Sequence, residues 1–600
     1  MSSPELGVTL AAGGTRFAVR APTAERVWLC LFDGDAERRV AMARDGDVWW
    51  ATTDAGEGTR YGYRADGAPP HDVSKLLVDP YAITLDAPFR YDGALAHVGT
   101  DTAALVPKAI VTAPLPTLEP PPSPVFRGGG LIYEINVRGF TMRHPDVPEE
   151  QRGTIAALAH PAVIAHLRKI GVDAVELMPV VAWIDERHLP PLGLSNAWGY
   201  NPVVPMALDP RLAPGGVAEL RETVSALRAA GIGTILDLVF NHSGESDELG
   251  PTLSLRGLDD ASYARAPDGA LINDAGTGNT LDFARPHVRA LTLATLRHFV
   301  AACGVDGFRF DLATVLARGP AFDPHAPIFA EIAADPLLAD RVMIAEPWDI
   351  GPGGYALGRF PANWLEWNDR YRDIVRRFWR GDGSTGAIAT AISGSTDIFG
   401  PERTRSVSFV AAHDGFTLAD LVSHAERHNH ANGEDNRDGH RDEVAWNNGA
   451  EGTCDDASIS TRRQADQRAL LGTLFATRGT IMLAAGDEFG RTQGGNNNAY
   501  AQDNATTWLD WQRRDRALED HVAALSAARR ATPIVSDPAI RHDAQWRRLD
   551  GDAMTQADWD GGGGVEMTLP GVALRIDHVA REVSLARKTM ERVKGIEPSS

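Results

Sequence analysis

Residues 304–313 read GVDGFRFDLA and residues 341–349 read RVMIAEPWD. Each is an apolar, β-prone run that ends on an acid, Asp311 in the first and Glu346 in the second. Side chains alternate along a strand, so Arg309 and Asp311 share one face while Phe308 and Phe310 share the other. The same kind of run recurs on both sides. LIYEINV (131–137), VDAVELMPV (172–180), IGTILDLVF (232–240), VDGFRFDL (305–312), RVMIAEP (341–347), ANWLEWND (362–369), SVSFVAAHD (406–414) and TIMLAAGDE (480–488) make eight strand-like segments. Helical stretches such as AELRETVSALRAAG (218–231) and RQADQRALLGTLFATRG (463–479) stand between most of them. Eight βα units predict an α/β fold, a (β/α)8 TIM barrel whose chemistry sits at the C-terminal ends of its strands. A doubly wound sheet is the weaker alternative, because no glycine-rich phosphate loop follows the first strand.

With 600 residues the chain exceeds what one core can organise and is expected to hold several domains. Residues 1–112 carry short strands separated by turn residues, as in TRFAVRAP, RVWLCLF and DVWWATT, and predict an N-terminal β-sandwich. Residues 113–129 lie in the proline-dense run TAPLPTLEPPPSP and beyond, a semi-rigid linker that can be neither helix nor central strand. The barrel is expected over 130–520. Residues 521–600 form a C-terminal β region with weak strands such as VEMTL and VALRI.

Apolar residues make up 43% of the chain and charged residues 23%, the balance of a soluble globular protein. A net charge of −21 argues against nucleic acid as a partner, which would call for a basic face. No apolar stretch reaches membrane-spanning length, and MSSPELGVTLAAGG lacks the basic-then-apolar pattern of a secretory signal. A cytoplasmic protein without membrane contact is expected. Cys30, Cys303 and Cys454 are far apart and form no CxxC pair, so neither a disulfide framework nor a thiolate metal site is supported.

Two carboxyl groups at the mouth of one barrel suit glycosidic bond cleavage. A retaining enzyme needs a nucleophilic carboxylate and a carboxylic acid roughly 5–6 Å away that protonates the leaving oxygen. Arg309 beside Asp311 favours an ionised nucleophile, while Ala345, Pro347 and Trp348 around Glu346 favour a protonated acid. An isolated Arg–Asp pair would more often be structural; the barrel mouth is what favours a chemical role. FVAAHDGFTL (409–418) adds Asp414, placed to hold a sugar as positive charge develops, with His413 suited to a sugar hydroxyl. LDLVFNH (236–242) contributes Asp237, Asn241 and His242. NAWGYNP (196–202) offers Trp198 and Tyr200 for stacking on a pyranose; Gly199 and Pro202 mark a loop and favour Tyr200.

DLVFNH, GFRFD, AEPW and HDGF stand in the order of the conserved regions of the α-amylase superfamily, which this chain resembles. The resemblance implies Asp311 as nucleophile, Glu346 as acid/base and Asp414 as transition-state stabiliser. It also implies that Asp237, His242, Arg309 and His413 contact the sugar at the cleavage site, with Tyr200 stacked beneath it. SKLLVDPYA (74–82), YEINVRGFT (133–141), EWNDRYRDIVRRFWRG (366–381), RHNHANGEDNRDG (427–439) and GDEFGRTQGGNNNAYAQDN (486–504) are similar to the glycogen debranching enzyme and isoamylase group. Over about residues 8–520 that resemblance implies hydrolysis of α-1,6-glucosidic branch linkages in glycogen or limit dextrin, by double displacement. It implies no cofactor, a branched α-glucan as partner, and a carbohydrate-binding module in the N-terminal sandwich. The alternatives are a 4-α-glucanotransferase, a trehalohydrolase-type enzyme, or a glucan-binding protein with an inactive barrel.

Two segments depart from the pattern. GTGNTLDFARP (276–286) has Asp282 where the group carries Asn, and the tail ARKTMERVKGIEPSS (586–600) does not look like the edge of the expected C-terminal sandwich, which suggests an incomplete last domain. Two metal motifs are rejected. Placing Gly439 at the invariant glycine of a calcium loop puts Ala445 at the twelfth position, where a bidentate Glu is needed. His424 and His428 are four apart but lack the HExxH order. Asn241 binds calcium in some relatives of the superfamily; no metal is expected here.

Overall fold

The computed structural model describes residues 5–11 and 13–587. Its centre is a closed parallel barrel. The strands, in order, are Leu131–Ile135, Ala174–Leu177, Gly233–Leu238, Gly307–Phe310, Val342–Ala345, Leu365–Trp367, Ser406–Ser408 and Thr480–Ala484. All eight lie within the segments expected from sequence, and the last pairs with the first to close the ring. The seventh strand is shorter than expected. It ends at Ser408, so His413 and Asp414 stand on the segment that follows rather than on the strand itself. Phe409 and Ala412 of that segment still pack into the barrel interior.

The alternation in GFRF works as the pattern requires. Phe308 and Phe310 are fully buried in the layer between strands and helices, whereas Arg309 is fully buried on the inner side. Helices Pro161–Ile170, Gly216–Ala229, Pro286–Cys303, Asp369–Arg380 and Ala457–Ala476 surround the ring. Local chemistry explains their ends: Asn368 and Asp456 cap their helices by accepting backbone N–H groups. Gly171, Gly304 and Gly381 end three of them in the left-handed conformation. The foot of the barrel is filled by Phe126, Ile132, Ile235, Ile344, Trp367, Val407 and Met482. This is a packed core and leaves the open end for chemistry.

Residues 26–66 and their neighbours form two antiparallel four-stranded sheets packed face to face on a core that includes Phe17, Leu29, Tyr61 and Tyr63. That core continues into Ile184, Val204, Leu253 and Leu258 of the barrel's loops, and Arg20 Nε lies 2.6 Å from Asp259 Oδ2 across the junction. The sandwich is thus fixed to the barrel by both apolar and ionic contact.

Residues 111–130 have no helix or strand, as the prolines dictate. They are strapped to the barrel rather than hanging as a free spacer: Arg228 Nη1 donates to Ser123 O at 2.7 Å and Arg341 Nη1 to Pro122 O at 2.9 Å. Four antiparallel strands, Gln545–Arg547, Gly564–Leu569, Val572–Asp577 and Glu582–Arg587, form the C-terminal sheet, which packs on helix Ala457–Ala476. Residues 588–600 of the unusual tail lie outside the described residues. Among the described residues no helix is long and apolar enough to cross a membrane.

Candidate active site

Arg309, on the fourth strand, organises the barrel mouth. Its Nη1 lies 3.0 Å from both carboxylate oxygens of Asp237 and 3.0 Å from Asp311 Oδ1. Its Nη2 lies 3.0 Å from Glu346 Oε2. The sequence reading assigned this arginine to Asp311 alone; the structure shares it among three carboxyl groups. Below it, the Trp367 ring centroid is 4.4 Å from the guanidinium carbon, a cation–π contact that holds the fork level.

The three carboxyls then differ in their remaining partners. Asp237 is buried and its Oδ2 accepts the Tyr200 hydroxyl at 2.5 Å. Burial pushes it up to about 6, against the pull of Arg309. Asp311 Oδ2 accepts Asn241 Nδ2 at 2.7 Å, and Asn241 Oδ1 in turn meets His242 Nδ1 at 2.5 Å. His242 is buried and its pKa falls to about 4, so it is neutral. Glu346 is buried, and burial raises it to about 8 even though Arg309 opposes the shift. Its Oε2 also accepts the backbone N–H of Leu312 at 2.7 Å.

Leu312, directly after Asp311, stands in the left-handed region with φ +40°, which costs a non-glycine residue about 1–2 kcal/mol. Strain of this kind persists where the surroundings fix it.

His413 and Asp414 come over the mouth from the seventh strand's following segment. His413 Nδ1 is 2.7 Å from Glu134 Oε1, and its ring stacks on Tyr200 at 4.9 Å. Burial alone would lower the imidazolium, but Glu134 and Asp414 outweigh it and raise its pKa to about 9. Asp414 is also penalised by burial, yet His413, His440 and Arg372 hold it well below the usual carboxylate range. Its side chain keeps 30% exposure and faces a cleft of about 1080 Å3.

All eight site residues expected from sequence are therefore gathered at one barrel end through Arg309, Asp237, His413 and their contacts. His413 thus covers one face of the Tyr200 ring. Asp282 accepts Arg285 Nε at 2.9 Å.

Sequence reading missed Glu134, Glu176 and Trp367. Glu134 and Glu176 pair in register on the first two strands, each the lone acid in an apolar run, LIYEI and AVEL. That isolation was a readable signal. Glu176 is 1% exposed and neither carboxyl oxygen has a hydrogen-bond partner. Burial, and then the charge of Asp237, raise its pKa well above the usual range.

The segments 427–439 and 486–504 prove to be partners. Asn429 Nδ2 donates to Asn497 Oδ1 at 2.8 Å, Asn496 Nδ2 to Asn432 Oδ1 at 2.9 Å, and Asn498 Nδ2 to Asp438 Oδ2 at 3.0 Å. Tyr500 OH donates to Glu434 Oε1 at 2.6 Å. Interlocked amides give this cleft wall a fixed shape. Glu434 and Asp438 serve these bonds, while Asp435 pairs with Arg437, so the acid density of this loop has uses other than calcium.

Residues 5–82 match the family model described as carbohydrate-binding module 48, the isoamylase N-terminal domain. Along its length the chain is 46% identical to the glycogen debranching enzyme of Yersinia enterocolitica, over 94% of this chain and 89% of that one. It is likewise 46% identical to the glycogen debranching enzyme of Yersinia pseudotuberculosis, over 92% of this chain and 87% of that one. In fold it is similar to a pullulanase from Paenibacillus barengoltzii solved with maltohexaose and α-cyclodextrin. There the TM-score is 0.74 at 21% identity, covering 96% of this chain and 89% of that one. The catalytic module of a glycogen-degrading pneumococcal virulence factor superposes with a TM-score of 0.76 at 19% identity, over 96% and 88% of the two chains.

Proposed function

The chain belongs to the family of glycogen debranching enzymes, and from that premise we propose how its residues divide the hydrolysis of α-1,6-glucosidic branch linkages in glycogen or limit dextrin. One observation carries the division: a single guanidinium touches both Asp311 and Glu346, and burial raises the Glu346 carboxyl to about 8.

Asp311 attacks the anomeric carbon. Its carboxylate is oriented by Arg309 on one oxygen and Asn241 on the other, so little reorganisation is needed as charge leaves it. Glu346 donates its proton to the departing O6 as the C–O bond breaks. Because Oε2 already accepts the Leu312 N–H and faces the Arg309 cation at 3.0 Å, the acid proton sits on Oε1. Glu346, now a carboxylate, then takes a proton from water, whose oxygen displaces Asp311 from the anomeric carbon and restores the starting configuration. Asp414, held ionised by neighbouring cations, stabilises the oxocarbenium-like charge in both steps. Asp237 has both oxygens engaged by Arg309 and Tyr200 and acts by positioning. The sandwich, as a carbohydrate-binding module, holds α-glucan. The protein acts in the cytoplasm and needs no cofactor for these steps.

Incubation with amylopectin, followed by iodine colour and reducing ends, tests this reading. Reducing ends are expected to rise with the wild type. With Asp311→Asn they are expected to fall by about 10^4-fold or more. No release by the wild type would overturn the activity, and a folded Asp311→Asn variant of full activity would overturn the role of Asp311.

A further inference from the structure

A second pocket lies at the foot of the barrel, where the debranching chemistry has no use for it. It has a volume of about 490 Å3 and is bordered by Val342, Leu365 and Thr480. These are the first residues of the fifth, sixth and eighth strands, so the pocket occupies the end opposite Asp311 and Glu346. Its walls carry Arg127, Arg341, Arg403 and Arg405 against a single acid, Asp340. In a chain of net charge −21, four guanidinium groups around one cavity are a local reversal of the protein's sign.

Two of the arginines are fixed. Arg341 is buried, donates to Pro122 O at 2.9 Å and lies 3.0 Å from Asp340 Oδ1. Arg405 donates Nη2 to Glu366 Oε1 at 2.8 Å, while its buried Nε has no hydrogen-bond partner. The other two are exposed and held loosely or not at all. Arg127 is 57% exposed, lies 3.7 Å from Asp340 Oδ2 and donates Nη1 to Asp340 O at 3.4 Å, a long bond. Arg403 is exposed, and its guanidinium makes no hydrogen bond or ion pair among the described residues. Asp340 is thus divided between two arginines, and the set retains an excess of positive charge.

We propose that this pocket binds a phosphate monoester of a small sugar or nucleoside. Planar guanidinium forks match phosphate oxygens in pairs; Arg403 and the loosely held, exposed Arg127 can supply them over a base fixed by Arg341 and Arg405. The volume exceeds what a phosphate alone fills and lies within the range of small-molecule sites. Asn363, also exposed in the wall, offers donor and acceptor groups for hydroxyls.

Titration calorimetry of the full chain with glucose 1-phosphate, AMP and inorganic phosphate in separate arms tests the proposal and distinguishes sugar from nucleotide. The expected result is saturable one-to-one binding of at least one ester, tighter than inorganic phosphate. Affinity is expected to drop at least tenfold in the Arg127→Ala/Arg403→Ala double variant, with amylopectin debranching unchanged because neither residue approaches the active site. Absence of saturable binding by either ester, equal binding of inorganic phosphate, or full affinity in the double variant would each overturn it.

Discussion

Leu312 donates its backbone N–H to Glu346 Oε2 at 2.7 Å from a left-handed conformation. The strained turn after Asp311 therefore fixes the orientation of the acid it works with. Burial raises Glu346 to about 8 against Arg309 and the Leu312 N–H, which suits the proton-donor role proposed for it.

Activity on branched glucans should accordingly fall as pH rises through about 8, when Glu346 loses its proton. In Glu346→Gln the rate should drop about 10^2- to 10^4-fold, and a glycosyl fluoride, whose leaving group needs no protonation, should recover most of the loss. An alkaline limb that persists in Glu346→Gln acting on the fluoride would place that pKa on another group.

Glu176 is a test of stability rather than catalysis. Its folded pKa lies above its unfolded value, so the native state binds the extra proton. The stability of the wild type then declines with pH above the unfolded value of about 4.3. Glu176→Gln removes that dependence. Its melting temperature relative to wild type should climb steadily from pH 5 to pH 8, and a pH-independent difference would show that Glu176 is not neutral in the fold.

The Glu134–His413 pair has the same sign in a higher pH window. His413 is raised to about 9, so its stabilising contribution is complete below its unfolded value near 6.5 and is lost as pH passes 9. Glu134→Gln should move the His413 midpoint downward in a ¹³C-imidazole titration. It should also cost about 3 kcal/mol at pH 6 and less at pH 9. An unmoved midpoint would mean that Asp414 alone sustains the charge.

Tyr200 separates two contributions. Tyr200→Phe loses the hydrogen bond to Asp237, about 1.5–3 kcal/mol for a bond to a charged group, and kcat/KM should fall by about 10- to 150-fold. Tyr200→Ala also removes the ring that supports His413 and should fall much further. Equal losses in the two variants would exclude a role for the ring.

The barrel was legible because its strands carry their instructions locally. In GFRFD the alternation of Phe with Arg and Asp assigns inside and outside without knowledge of the rest. The ends of some elements were not. SVSFVAAHD is apolar throughout, and pattern alone could not show that pairing stops at Ser408 while Phe409 and Ala412 go on packing. Residues that act through non-local contact were the hardest. Glu134 meets His413 and Trp367 lies under Arg309 only once the barrel closes, and a lone acid or indole in a strand names no partner. The two cleft segments were each recognised as typical of debranching enzymes, but their asparagine-to-asparagine bonding spans distant parts of the chain.

The central claim is that Asp311 and Glu346, sharing one guanidinium, cleave branch points by double displacement. The most direct measurement is proton NMR of the anomeric signals during the first turnovers on a branched limit dextrin. Linear α-1,4 chains whose new reducing end appears first as the α-anomer, with branch-point signals disappearing in step, are the predicted result. First appearance of the β-anomer would contradict the account.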